Sequence, residues 1–137
     1  VGSEMCIRDR LDYDAYYKAV NRQVNDLFYY YREQAALKAR QYQRALDDIV
    51  KAIELSPKDL TYRAEHAVVN LRVGRYEESM KILNEILKDE PKYGEAYRLL
   101  GLCQIQLKKT DEACGNFNKA KELGDPNVDE LIKKYCK

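Results

Sequence analysis

Pro57 and Pro91 stand 34 residues apart, each closing a helical stretch (KAIELSP, LKDEP), and each follows a tyrosine, Tyr42 and Tyr76, at the same distance. A fixed step of this length marks a chain that repeats one helix-turn-helix unit and stacks the copies, because a single unit cannot bury its own apolar face. Counting from the prolines divides the chain into units at 26–59, 60–93 and 94–127. The expected fold class is therefore all-α: a right-handed α-solenoid of antiparallel helix pairs. A capping helix is expected over 126–137.

The first unit predicts a helix from Asp26 to about Ala39 and a second from Gln43 to Leu55. In the second unit, Val73-Gly74-Arg75-Tyr76 places a glycine at a helix end, where a left-handed backbone costs least. In the third, Thr110 or Asp111 is expected to cap the second helix. Ala45 and Ala52, Ser79 and Ile86, and Ala113 and Ala120 form pairs seven residues apart. Seven residues span about two turns, so both members of a pair share one helix face. Ile49, Leu83 and Phe117 lie between them as larger fillers. These positions predict the packed core.

Those same residues carry a resemblance: the three units look like tetratricopeptide repeats. The family pattern of small residues, an aromatic and a closing proline is matched by Ala45, Ala52, Tyr42 and Pro57, and again by Ala67, Ser79, Tyr76 and Pro91. Tyr97, Leu100, Gly101, Ala113, Phe117 and Ala120 match it in the third unit. Three departures stand out. Glu33 occupies a small-residue position, Ile86 replaces an alanine, and the third unit ends in Gly124-Asp125 before Pro126. A carboxylate near a helix crossing needs a partner, and Arg32, Arg63 and several tyrosines are available, so Glu33 is expected in a structural polar network.

The resemblance implies a non-catalytic protein–protein interaction scaffold that binds a peptide or protein segment in a groove lined by the first helix of each unit. The alternative is a C-terminal regulatory or assembly array of a larger protein, with an enzymatic or anchoring domain upstream. Carried over by register, the groove is Tyr30, Gln34, Leu37 and Lys38, then Ala64, Val68, Leu71 and Arg72, then Arg98, Leu102, Ile105 and Gln106. Leu27, Thr61 and Glu95 flank them. The apolar members suit an apolar peptide face, and Lys38, Arg72 and Arg98 suit carboxylates. Arrays of this family that clamp acidic chaperone tails use lysine, asparagine and arginine where this chain has Tyr30, Gln34, Glu65, Glu95 and Leu99. None matches, so an acidic-tail clamp is not expected.

Charge excludes other partners. The chain has 24 Lys and Arg against 23 Asp and Glu, spread along its length. No basic face is evident for phosphates, so nucleic acid, including single-stranded RNA, is not expected as a partner. No apolar run is long enough to span a bilayer. Asp47-Asp48, Asp89-Glu90 and Asp111-Glu112 are adjacent carboxylates, and neighbours on a helix diverge rather than converge on one substrate atom. With one histidine, His66, and no phosphate loop, no catalytic site, cofactor or metal site is expected. Cys103, Cys114 and Cys136 have no metal-ligand spacing. Cys103 and Cys114 are expected as small apolar filler, with Cys136 exposed.

At the ends, VGSEMCIRDR (residues 1–10) resembles the translation of a DNA sequencing-library adapter and is expected to be an artefact and disordered. Residues 11–25 carry Tyr13, Tyr16, Tyr17, Val20 and Val24 at helical spacing and are expected to be the remnant of a truncated preceding repeat. Its exposed flank predicts self-association. Asp125-Pro126 is expected to start the capping helix, with Asp125 as its cap. The stretch from Ala96 to Lys137 further resembles C-terminal arrays of exported bacterial repeat proteins, especially of Bacteroides-like bacteria. That likeness implies a cell-envelope location if an upstream segment carries a signal peptide; the alternative is a cytoplasmic one.

Overall fold

The computed structural model describes residues 25–137. The expectations for 1–10, and for 11–25 apart from Asn25, lie outside the described residues. Seven helices follow in order among the described residues: α1 (Asp26–Lys38), α2 (Tyr42–Leu55), α3 (Leu60–Val73), α4 (Tyr76–Asp89), α5 (Gly94–Gln106), α6 (Thr110–Glu122) and α7 (Asp129–Tyr135). Asp26, Leu60 and Gly94 start successive first helices at intervals of 34 residues (60 − 26 and 94 − 60), and Tyr42, Tyr76 and Thr110 start the second helices at the same interval. The period of the sequence is the period of the structure.

The turn inside each unit is held by the same device. Arg40, Gly74 and Lys108, one period apart, all have positive φ, at 59°, 94° and 63°. After each, the amide of the following residue returns to a carbonyl five residues back: Gln41 to Ala36, Arg75 to Asn70 and Lys109 to Gln104. This closes orphan carbonyls at the helix end. Gly124 (φ 88°) repeats it after α6, with Asp125 N–H donating to the Ala120 carbonyl.

Capping differs from expectation. Asn25 caps α1 through Phe28 N–H and Asp59 caps α3 through Tyr62 N–H, whereas α2, α4 and α6 begin without a side-chain cap. Thr110 lies inside α6, and the cap position is Lys109. The shared turn already sets the backbone there. The last helix starts at Asp129 rather than beside Asp125. Asp125 is committed elsewhere: it accepts from Asn127 N–H at 2.8 Å and from the Arg98 guanidinium at 2.8 Å.

The predicted core is in place. Ala45, Ile49, Ala52, Ser79, Leu83, Ile86, Ala113, Phe117 and Ala120 are all fully buried. They form three adjoining clusters: Ile49 with Leu37 and Tyr62, Leu83 with Ala67 and Leu100, and Phe117 with Val128. Each sequential pair of helices from α1 to α7 packs together. α3 also meets α5 directly, and Tyr30 of α1 lies 5.2 Å from the Tyr62 ring of α3. On the other side a cleft opens between α2 and α4, lined by Leu46, Val50, His66, Asn70, Arg75, Glu77 and Glu78. First helices close on one another and second helices splay, so the first-helix side is the inner wall of the solenoid.

The cysteines require a correction. Cys103 is buried as filler, and burial raises its thiol pKa. Cys114 and Cys136 instead form a disulfide, with Cα atoms 5.7 Å apart. Their separation of 22 residues in sequence gave no hint of it. The pairing depends on the chain folding back so that Val128 is buried and the end of α7 lies beside α6.

Candidate functional site

The inner wall is made by α1, α3 and α5, and the twelve residues assigned to it by register fall into three groups. Lys38, Arg72 and Gln106 are exposed; Tyr30, Gln34, Val68, Leu71, Arg98, Leu102 and Ile105 are partly buried; Leu37 and Ala64 are buried. Leu37 and Ala64 belong to the packing between units, at 7% and 2% exposure, and offer no surface to a ligand. Leu102 and Ile105 pack against the cluster of Phe117 and Val128. Val68 and Leu71 pack in the same way against the cluster of Ala67 and Leu83, and Tyr30 against that of Ile49 and Tyr62, so the apolar strip keeps only the partly buried faces of Tyr30, Val68, Leu71, Leu102 and Ile105.

The basic side chains are also redistributed. Arg98 donates to Asp125 at 2.8 Å and to Glu95 at 3.4 Å, and the Asp125 side chain is 3% exposed. A guanidinium held in this way is a structural tie between α5 and the turn before α7, and is not available to a peptide carboxylate. Lys38 and Arg72 remain exposed at the far end of their helices.

Glu33 departs furthest from its expected surroundings. It is fully buried, yet neither expected arginine serves it: Arg32 forms a two-point pair with Asp48 at 2.7 and 2.9 Å, and Arg63 pairs with Asp89 at 2.9 Å. Neither Glu33 oxygen accepts a hydrogen bond. Its carboxyl faces that of Glu65 on α3. Burial, and then the Glu65 charge, push Glu33 up to about 9. Burial also raises Glu65, against which the Glu33 carboxyl and Arg72 act to lower it. A proton held on Glu33 and donated to Glu65 reconciles two carboxyls at one crossing with the missing acceptor bonds.

Glu65 also feels Glu95 on α5. The Glu95 carboxylate accepts from the Tyr93 hydroxyl at 2.7 Å. Glu33, Glu65 and Glu95 thus run from α1 through α3 to α5, an acidic line at positions where the sequence showed only a mismatch to an acidic-tail clamp. One signal was present: Glu33, Ala67 and Gly101 occupy the same place one period apart, and only the first is large and charged.

Adjacent acidic residues diverge as expected. Asp47 is exposed and accepts from Gln43, while Asp48 is buried against Arg32. Among the described residues, no group of three or more His, Cys, Asp or Glu side chains is placed to hold a metal ion. No described helix is long and apolar enough to cross a membrane.

Paired helices stacked with a constant step and a shared left-handed turn define a helical-repeat array, and this one has the tetratricopeptide-repeat fold. Residues 36–99 match the family model described as tetratricopeptide repeat. The heat shock protein STI1 of Saccharomyces cerevisiae is 32% identical over 71% of this chain and 17% of its own length. The small glutamine-rich tetratricopeptide repeat-containing protein 2 of Mycosarcoma maydis is 30% identical over 72% of this chain and 28% of its own length. The chain thus spans less than a third of these relatives. Among solved structures, the first TPR of Spaghetti (RPAP3), bound to the HSP90 peptide SRMEEVD, superposes with a TM-score of 0.70 at 21% identity, covering 81% of this chain and 87% of that one. YrrB, described as a TPR protein with an unusual peptide-binding site, gives 0.71 at 20% identity over 88% of this chain and 63% of its own.

Proposed function

We propose that this array is a non-catalytic interaction module that takes a peptide or protein segment along the inner wall of α1, α3 and α5. One observation carries the reading: side chains of the first helices that keep part of their surface open, Tyr30, Gln34, Glu65, Val68 and Arg72, belong to the side where the helices close on one another. An extended segment laid across them meets aromatic, apolar and charged groups in turn. Relatives of this fold include proteins captured with peptides, which supports the same use of the wall here.

Panning a random peptide library against the chain tests this. Peptides that are selected should lose binding to Tyr30→Ala and Val68→Glu variants and keep it with Val50→Ala or Leu55→Ala, whose side chains are exposed on α2. Equal loss from both sets, or selected peptides indifferent to both, would move the site off the wall.

The same reading extends to the compartment. A disulfide between Cys114 and Cys136 persists where thiols are oxidised; this supports the envelope location implied by the C-terminal stretch. Thiol labelling of the protein in its native cells, with one reactive cysteine in the denatured chain instead of three among residues 25–137, is the matching result.

A further inference from the structure

The cleft between α2 and α4 lies away from the inner wall and has a volume of about 570 Å³, in the range of small-molecule sites. Asn70 lines it at 2% exposure, and its Nδ2 donates to the His66 carbonyl at 3.0 Å. Among the described residues no group donates to the Asn70 Oδ1. Nor is that oxygen sealed in the core, since the enclosed side-chain atoms without a partner among the described residues are the two Glu33 oxygens. Oδ1 therefore opens into the cleft.

The third unit shows what this position needs. One period on, Gln104 is also buried, and its Oε1 accepts from Asn116 Nδ2 of α6 at 2.6 Å. One period before Asn116 stands Ile82, whose side chain has no donor. The acceptor that α6 satisfies in the third unit is thus left open by α4 in the second. A charged donor meets such an acceptor best.

The groups around Asn70 are equally unspent. Arg32, Arg63 and Arg98 are held by carboxylates, but Arg75, Glu77 and Glu78 at the rim of the cleft are exposed and form no ion pair among the described residues. Burial holds the His66 imidazole below its ordinary pKa, so the ring is neutral at pH 7. Leu46 and Val50, one turn apart on α2, supply an apolar wall.

We propose that this cleft binds a free α-amino acid with an apolar side chain. Its ammonium donates to the Asn70 Oδ1 and is balanced by Glu78, its carboxylate pairs with Arg75, and its side chain lies on Leu46 and Val50. A zwitterion meets each of these groups. A simple cation would face the unpaired Arg75, and a simple anion would leave Asn70 and the glutamates unmet. The site is separate from the inner wall and stands or falls independently of a peptide bound there.

An NMR titration of the full chain with L-leucine tests this. Amide shifts should concentrate at Leu46, Val50, His66, Asn70 and the start of α4. N-acetyl-leucine, without the ammonium, and leucinamide, without the carboxylate, should each bind about tenfold more weakly. Arg75→Gln should weaken leucine about threefold and should not weaken leucinamide; Glu78→Gln should weaken leucine and should not weaken N-acetyl-leucine. Both side chains are exposed, so the variants keep the fold. Arg72→Gln, on the inner wall, should change nothing. Shifts that do not saturate or scatter over the surface, leucinamide as tight as leucine, or indifference to both rim variants overturns the proposal.

Discussion

Gly101 of α5 faces the Phe117 ring of α6 so closely that a Cβ on Gly101 would overlap the ring. Gly115, inside α6, would meet nothing within 4 Å. Glycine-to-alanine in a helix interior ordinarily stabilises by about 0.5–1 kcal/mol. Gly115→Ala should show that gain in urea denaturation. Gly101→Ala should lose roughly 1–3 kcal/mol, because overpacking against a buried ring outweighs the gain in propensity. Adding Phe117→Leu should recover part of the loss. Equal effects at the two glycines would mean that α5 and α6 are not in this register.

The turn residues make a second pair of opposites. Arg40 and Lys108 hold the left-handed conformation that Gly74 adopts without cost. Replacing either by glycine should stabilise the array by about 0.5–1 kcal/mol, and Gly74→Ala should destabilise it by a similar amount. Thermal melts of the three variants test the shared turn.

Glu33 sets a pH dependence whose sign follows from its raised value. A carboxyl near 9 in the folded chain, against an ordinary 4.5, keeps its proton on folding. Its contribution is complete below about pH 4.5 and is lost as pH rises towards 9. Melting temperature should fall between pH 7 and pH 9, a window above the titrations of Asp26, held low by the Tyr62 and Ser56 hydroxyls, and of His66, held low by burial. Glu33→Gln keeps the donor to Glu65 and removes the titration. Its melting temperature should fall less over the same window, and parallel curves would rule out the protonated pair.

The disulfide closes the chain between α6 and α7. For a loop of this length the chain-entropy estimate is about 3 kcal/mol. The double variant Cys114→Ser with Cys136→Ser should lose stability of that order, and reduction of the wild type should reproduce it. α7 has seven residues and contains no buried residue of its own, so hydrogen exchange should rise first there.

Much of this fold was legible because the period, the closing prolines and the small-residue pairs report local geometry and packing. Ala45, Ala52 and Ala120 could be placed in the core from spacing alone. Partnerships were less legible. Register makes Arg98 a groove cation, but its charge is decided by Asp125, 27 residues on. The sequence offers Glu33 a network with Arg32 and Arg63, but both arginines have carboxylates in better positions, Asp48 and Asp89. Cys114 and Cys136 meet only because the segment after Gly124 folds back. Leu37 and Ala64 fit a groove register and still face inward, since the same helix face must also stack on the next unit. Spacing along one helix gives the face of a residue; it does not give the competitor that claims its side chain.

Because helix starts recur at 34 residues, excising 60–93 would join Asp59 to Gly94 without shifting any element. The shortened chain would supply α5 with Asp59 as a capping side chain in place of Tyr93, and α2 with the face that α4 now covers. Opposite Glu33 it would also put Leu99 where Glu65 now stands. The unit step therefore makes binding character transferable: by dropping or duplicating one block, an array of this kind can exchange the chemistry of its wall while leaving its architecture intact.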